Sequence, residues 1–208
     1  MAQELYRFFN SSQTDLREYD AGDLASLMRT LAADGVAGLG GCLQVTAEGS
    51  TMRTRVGYGS ALLRGYQFEL RDDGAGIRAY THGASANGSR IDRVVVRLDL
   101  KARKLSMEVK TGTAASNPVP PALTRAGEIF EISLAQVNIR QGATALTSAD
   151  IVDERSDENA CGAAVSAALR NGGRYLTAAG ILTDEAGVSV QQALSARITD
   201  ADIDAVMT

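Results

Sequence analysis

The sequence has no tryptophan, one histidine, two cysteines and three prolines among 208 residues, and aromatic residues make up 5% of it. Each shortage removes a class of chemistry. Histidine-based catalysis needs a positioned partner for the ring, and nothing beside His82 in the sequence supplies one. Cys42 and Cys161 lie far apart with no second ligand type near either, so two buried free thiols are expected rather than a disulfide or a metal site. A strong sugar-stacking surface needs aromatic rings, which are scarce here. No run of about 18 apolar residues occurs, so no helix is expected to cross a membrane. The first residues, MAQELYRFFNSS, lack the basic start and apolar stretch of a signal peptide.

What is present is ordinary in amount. Hydrophobic residues at 45% and charged residues at 22% suit a globular chain with a real core. The formal charge of −4 gives no general attraction to nucleic acid. Of the 21 positive residues all but Lys101, Lys104 and Lys110 are arginine. Arginine suits bidentate pairs and interfaces, although a GC-rich coding sequence yields the same excess with no role attached.

The spacing predicts a helix of about 13 residues after Asp20. Asp20 and Asp23 form a capping box, Leu24, Leu27, Met28 and Leu31 share a stripe to be buried either on this chain's sheet or on a neighbouring copy, and Gly35 closes the helix in the C′ position. From Cys42 to Leu70 the period becomes two. Leu43 and Val45, then Met52, Thr54, Val56 and Tyr58, then Tyr66, Phe68 and Leu70 alternate with polar or small neighbours, and Gly49, Gly57, Gly59 and Gly65 mark turns or bulges. Residues 72–90 are a glycine-rich loop with a short strand at Ile77–Tyr80. Residues 91–100 are the strongest strand pattern, with Val94, Val96, Leu98 and Leu100 on one face and Arg93, Val95, Arg97 and Asp99 on the other. A turn leads to Leu105, Met107 and Val109, completing a hairpin.

All three prolines fall within Asn117–Pro121, an extended connector that cannot be interior strand. Phe130, Ile132 and Leu134 then give way to Val137 and Ile139, and the change of parity at Ala135 predicts a bulge. Thr147 and Asp150 open a single helical turn. Beyond Cys161–Gly162 the texture turns rich in alanine, glycine and threonine. Val190, Leu194 and Ile198 then fall at helical spacing, and residues 199–207 form a capped helical turn.

The candidate chemistry is thin. Gly38–Gly41 lacks the preceding strand and the following Lys-Ser/Thr of a phosphate loop. Asp150, Asp153, Glu154, Asp157 and Glu158 lack the central glycine and ligand order of a calcium loop, so a solvated, charged chain exit is expected, with a weak divalent site left open. Asp92 and Asp99, beside Arg93 and Arg97, are expected to make cross-strand ion pairs. No catalytic, cofactor-binding or metal residue is assigned. Tyr58, Tyr66, Tyr80 and His82 are the best candidates for sugar contact, with core packing and turn formation the competing role for each.

Several segments taken in order carry a resemblance. They are Phe8–Ser11, Arg17–Ala21 with Asp34–Val36, Leu43–Val45, Val56–Gly57 with residues 59–65, Arg90–Asp99, Val109–Thr113, Pro118–Arg125, Leu134–Val137, Ile151–Arg155 and Cys161–Gly162. This series resembles structural proteins of tailed bacteriophages and prophages, of the baseplate or receptor-binding appendage type. It covers residues 8–162, and residues 163–208 depart from it.

The resemblance implies a non-enzymatic virion component, usually a homotrimer, assembled in the host cytoplasm with other tail or baseplate proteins and anchored through its N-terminal region. A head fibre or decoration protein, or a carbohydrate-binding receptor-recognition module meeting host glycan, are the alternatives. No cofactor, nucleic acid or membrane insertion is implied. The expected architecture is mainly β, as antiparallel sheet or sandwich, with an N-terminal amphipathic helix. Residues 1–162 form the structural domain and 163–208 an extension with short helices.

Overall fold

The computed structural model describes residues 7–72, 74 and 78–164. The apolar alternation of the middle of the chain builds three antiparallel sheets, and one short helix lies before them. The helix, α1, spans Ala21–Leu31. Its start is fixed as the sequence dictates: the Asp20 side chain accepts from the Asp23 amide at 3.0 Å and Asp23 returns the bond at 3.2 Å. An ion pair between Arg7 and Asp23 ties the preceding arm to this first turn.

The helix ends earlier than Gly35 would have it. Ala32 leaves in an extended conformation with its amide bonded to Met28. Gly35 instead opens β1, Gly35–Val36, and is needed there because a Cβ would overlap the Gly162 carbonyl.

Strand β1 pairs with β4, Gly59–Leu63, which pairs with β5, Tyr66–Leu70. The glycines at 59 and 65 therefore bracket a strand that alternation does not reveal, because Ala61, Leu62 and Leu63 are consecutively buried. Arg64 and Gly65 both have positive φ, at 49° and 82°, giving the two-residue turn that matches strand twist. A second sheet joins β2, Val45–Ala47, to β3, Arg53–Val56, and to β6, Arg78–Thr81. Strand β6 runs one residue beyond the predicted Ile77–Tyr80, and Ile77 itself lies outside the described residues. Leu43 and Met52 flank these strands rather than belonging to them.

The third sheet is the largest, in the order β10-β9-β7-β8. Here β7 is Arg90–Asp99, β8 Lys104–Lys110, β9 Ile129–Ile139 and β10 Ile151–Asp153, the last preceded by the single 3₁₀ turn Ser148–Asp150. The predicted bulge is present: Val94 pairs with Ala135 but Val95 with Ser133, so Leu134 is the extra residue. It turns Ile132, Leu134, Val137 and Ile139 into one buried set, packed with Val94, Val96, Leu98 and residues of the other two sheets such as Val56 and Leu63. The C-terminal helical segments read from sequence lie outside the described residues.

Residue 65 tests how tightly α1 sits on the β4–β5 turn. A Cβ there would overlap the Ala25 carbonyl, whereas one on Gly49, also at positive φ, would meet open space. Gly49→Ala is expected to lower unfolding stability by about 1 kcal/mol through backbone strain alone. Gly65→Ala should cost about 2 kcal/mol or more, because the helix must also shift. Urea melts of the two variants check the difference.

Candidate functional site

Three features are candidates for function: a buried hydroxyl–imidazole–carboxylate relay, a half-buried layer of ion pairs, and an exposed apolar face. The relay joins residues far apart in sequence. Thr54 lies on β3, His82 just past β6 and Asp92 on β7, and pairing of β3 with β6 brings the first two together. His82 Nε2 is 3.0 Å from Thr54 Oγ1, and Nδ1 is 3.0 Å from Asp92 Oδ2. With Asp92 ionised, Nδ1–H donates to the carboxylate and Nε2 accepts from the threonine hydroxyl. His82 thus has the partners that its own sequence neighbourhood lacks.

That order of groups is the one used for acyl transfer, but the surroundings do not serve it. Thr54 is 0% exposed and His82 2%, so no substrate reaches the hydroxyl. Asp92 is shared with Arg90, whose Nε donates at 2.8 Å, and with the Gly112 amide at 3.0 Å. Burial pushes the Asp92 carboxyl upward, but the bonds from His82, Arg90 and Gly112 outweigh it, and the pKa falls below the ordinary aspartate value. Arg90 also donates to the carbonyls of Gly83 and Ala84. The relay pins the 82–90 loop to the strands on either side of it.

The second feature lies on the back of β7 and β9, the face that carries Arg93 and Arg97. Arg97 pairs in register with Glu131 at 2.8 Å, and Lys110 reaches the other carboxylate oxygen at 2.7 Å. Glu131, 0% exposed, also accepts from the Thr124 amide. Arg93 makes a bidentate pair with Glu154 at 3.0 and 3.1 Å, and Ser133 and Gln136 donate to the same carboxylate. The roof over these charges is the proline connector and the chain after β10. Arg93 donates to Pro121 O, and Arg125 donates to the carbonyls of Asn159 and Ala160.

Several sequence expectations change here. The cross-strand ion pairs expected here form from Arg97, to Glu131, but not from the aspartates: Asp92 turns to His82 and to Arg90 of its own strand, and Asp99 caps the β7–β8 turn at the Ala102 amide. The acidic run 150–158 is a solvated exit only in part: Asp153, Asp157 and Glu158 are exposed, but Asp150 and Glu154 are 5% exposed and each is bound to an arginine. Arg155, 4% exposed, donates to the carbonyls of Gly40 and Cys42 and pairs with Asp153. Part of the arginine excess is therefore internal scaffolding. Among the described residues no group of three or more His, Cys, Asp or Glu is placed to hold a metal ion. Both cysteines are free thiols; Cys42 is only partly buried, and burial pushes the Cys161 thiol up to about 12, far from a reactive thiolate.

The sugar-contact candidates do not converge. Tyr80 lines a groove with Phe68 and Met107, but its hydroxyl donates to Met107 O at 3.0 Å and Arg78 sits 5.6 Å from its ring centroid. Tyr66 lines a different groove, beside α1, and His82 is interior.

The third feature extends the α1 stripe read from the sequence to the arm before it. Of the ten exposed large apolar side chains among the described residues, eight lie between Phe8 and Leu39. Phe8 stacks on Tyr19 at 5.1 Å, and the Tyr19 hydroxyl bonds the Phe9 backbone. Along α1, Leu24, Leu27 and Leu31 are 55%, 39% and 56% exposed, while Ala25 is the buried contact. Of the two places open for this stripe, this chain's sheet or a neighbouring copy, the sheet does not bury its leucines, which face outward.

No protein-family model matches the sequence, and no curated protein matches it.

The carboxylates set an acid limit on stability. Asp92 and Glu131 both titrate below their ordinary values, Glu131 because bonds from Lys110, Thr124 and Arg97 overcome the upward push of burial. Their stabilisation is complete above the unfolded values, about 4, and is lost as pH falls through the lower folded values. Urea midpoints of the wild type should therefore hold from neutral pH to about 5 and then drop. Glu131→Gln should lower the neutral plateau by about 2–4 kcal/mol and flatten the acid decline.

Proposed function

We propose that this chain is a non-enzymatic structural subunit of a tailed-bacteriophage particle, a tail or baseplate component that oligomerises and supports or performs host attachment. The carrying observation is the concentration of exposed apolar side chains on the N-terminal arm and α1. Soluble monomers scatter such residues, and a grouped patch marks an association surface. The polar interior complements it: charges tied to carbonyls and to one another give a firm body for a subunit that works by contact. The series of segments between Phe8 and Gly162 that resembles phage appendage proteins supplies the particle, the trimeric state and N-terminal anchoring; short helices in the extension rest on the helical spacing of Val190, Leu194 and Ile198.

A head fibre or decoration protein shares this surface logic. Direct glycan recognition is the weaker reading, since the guanidinium of Arg78 covers the Tyr80 ring.

Light scattering on the full chain across a concentration series tests the reading. A stable oligomer, with three chains the favoured count, is expected. A monomer at every concentration would contradict it.

A further inference from the structure

The apolar face around α1 has both projecting and receiving parts. Leu24, Leu27 and Leu31 follow i, i+3, i+7 spacing, the a/d/a seam of a helix that packs on another helix. Beside this seam runs an open slot of about 500 Å³ between the helix and the β1–β4–β5 sheet. Seven of its thirteen lining residues are alanine or glycine, among them Ala25, Ala37 and Gly65, and Leu24, Leu62 and Tyr66 stand beside them. Alanine and glycine leave this space unfilled on the same side of the molecule where leucines stand out. Close packing is the norm of protein interiors and interface cores, and a slot with an apolar lining is completed by branched aliphatic side chains.

We propose that the occupant is α1 of a second copy of this chain, its Leu27 and Leu31 inserted into the slot. This rests on the reading of the chain as an assembling subunit and names the contact. Projection and slot lie on one face, so each copy both gives and receives, in a two-fold pair or a closed ring. The stripe itself carries no charge; Asp23 in the first turn is neutralised by Arg7 of the same chain. The size also suits a specific contact. The seven exposed apolar residues from Phe8 to Leu31 offer on the order of 700 Å² of accessible surface, near the ~800 Å² each partner contributes to a standard interface.

Two variants of the full chain separate the parts. Leu27→Glu with Leu31→Glu removes the projection, and Ala37→Trp fills the slot from an exposed position; thermal melts check that both fold as the wild type does. Each variant alone should associate about 30-fold more weakly, as for loss of a hot spot. An equimolar mixture should recover mixed complexes, because one intact projection then meets one intact slot. Association of both variants at wild-type strength overturns the α1 contact while leaving an assembling subunit in place. Loss of association in each variant without recovery on mixing overturns insertion into the slot. A wild type that stays monomeric overturns the subunit reading itself.

Discussion

Strands β7 and β9 are covered on both faces, and that double burial is the constraint on which the rest of the structure depends. One face is aliphatic and packs the three sheets together. The other carries Arg93 and Arg97 on β7 and Glu131, Ser133 and Gln136 on β9, which water would ordinarily cover. Here the proline connector and the chain after β10 cover them instead. A carboxylate as enclosed as Glu131 is tolerable only with its charge matched and its oxygens bonded, and Lys110, Arg97 and the Thr124 amide do both. The connector and the return strand are held by the same bonds that make the buried charges tolerable.

From that spine the division of labour follows. The interior holds the groups that carry chemistry elsewhere: a histidine between a hydroxyl and a carboxylate, a thiol and several carboxylates. All are enclosed or committed to structural bonds. The unsatisfied surface is apolar and lies at the N-terminal side, on an arm and helix fastened by the Asp20–Asp23 box, the Arg7–Asp23 pair and the Phe8–Tyr19 stack. A firm body with one exposed apolar face is what the proposed assembling subunit requires.

Local signals were legible and long-range ones were not. The helix start at Asp20, the β7–β8 hairpin and the bulge beside Ala135 each depend on a few neighbouring residues, and each appears. Strand β4 was hidden because burial on both faces erases alternation. Gly35 was misread as a helix stop because a glycine's close neighbour, here Gly162, can be far away in sequence. The Thr54–His82–Asp92 relay left no trace, since its spacing is set by sheet pairing. Arginine excess alone did not separate pairing from coding bias, and which carboxylate each side chain finds is decided by the fold: Arg93 finds Glu154, 61 positions away. The leucine stripe was read correctly as one face, but only the structure shows that this chain leaves it open.

Hydrogen exchange of the intact chain, followed over a range of protein concentrations, addresses the assembly claim most directly. Amides of residues 20–32 should become slower to exchange as concentration rises and the chain associates, while those of β7 and β9 stay protected throughout. Association that leaves residues 20–32 unchanged, with new protection elsewhere, would contradict the account.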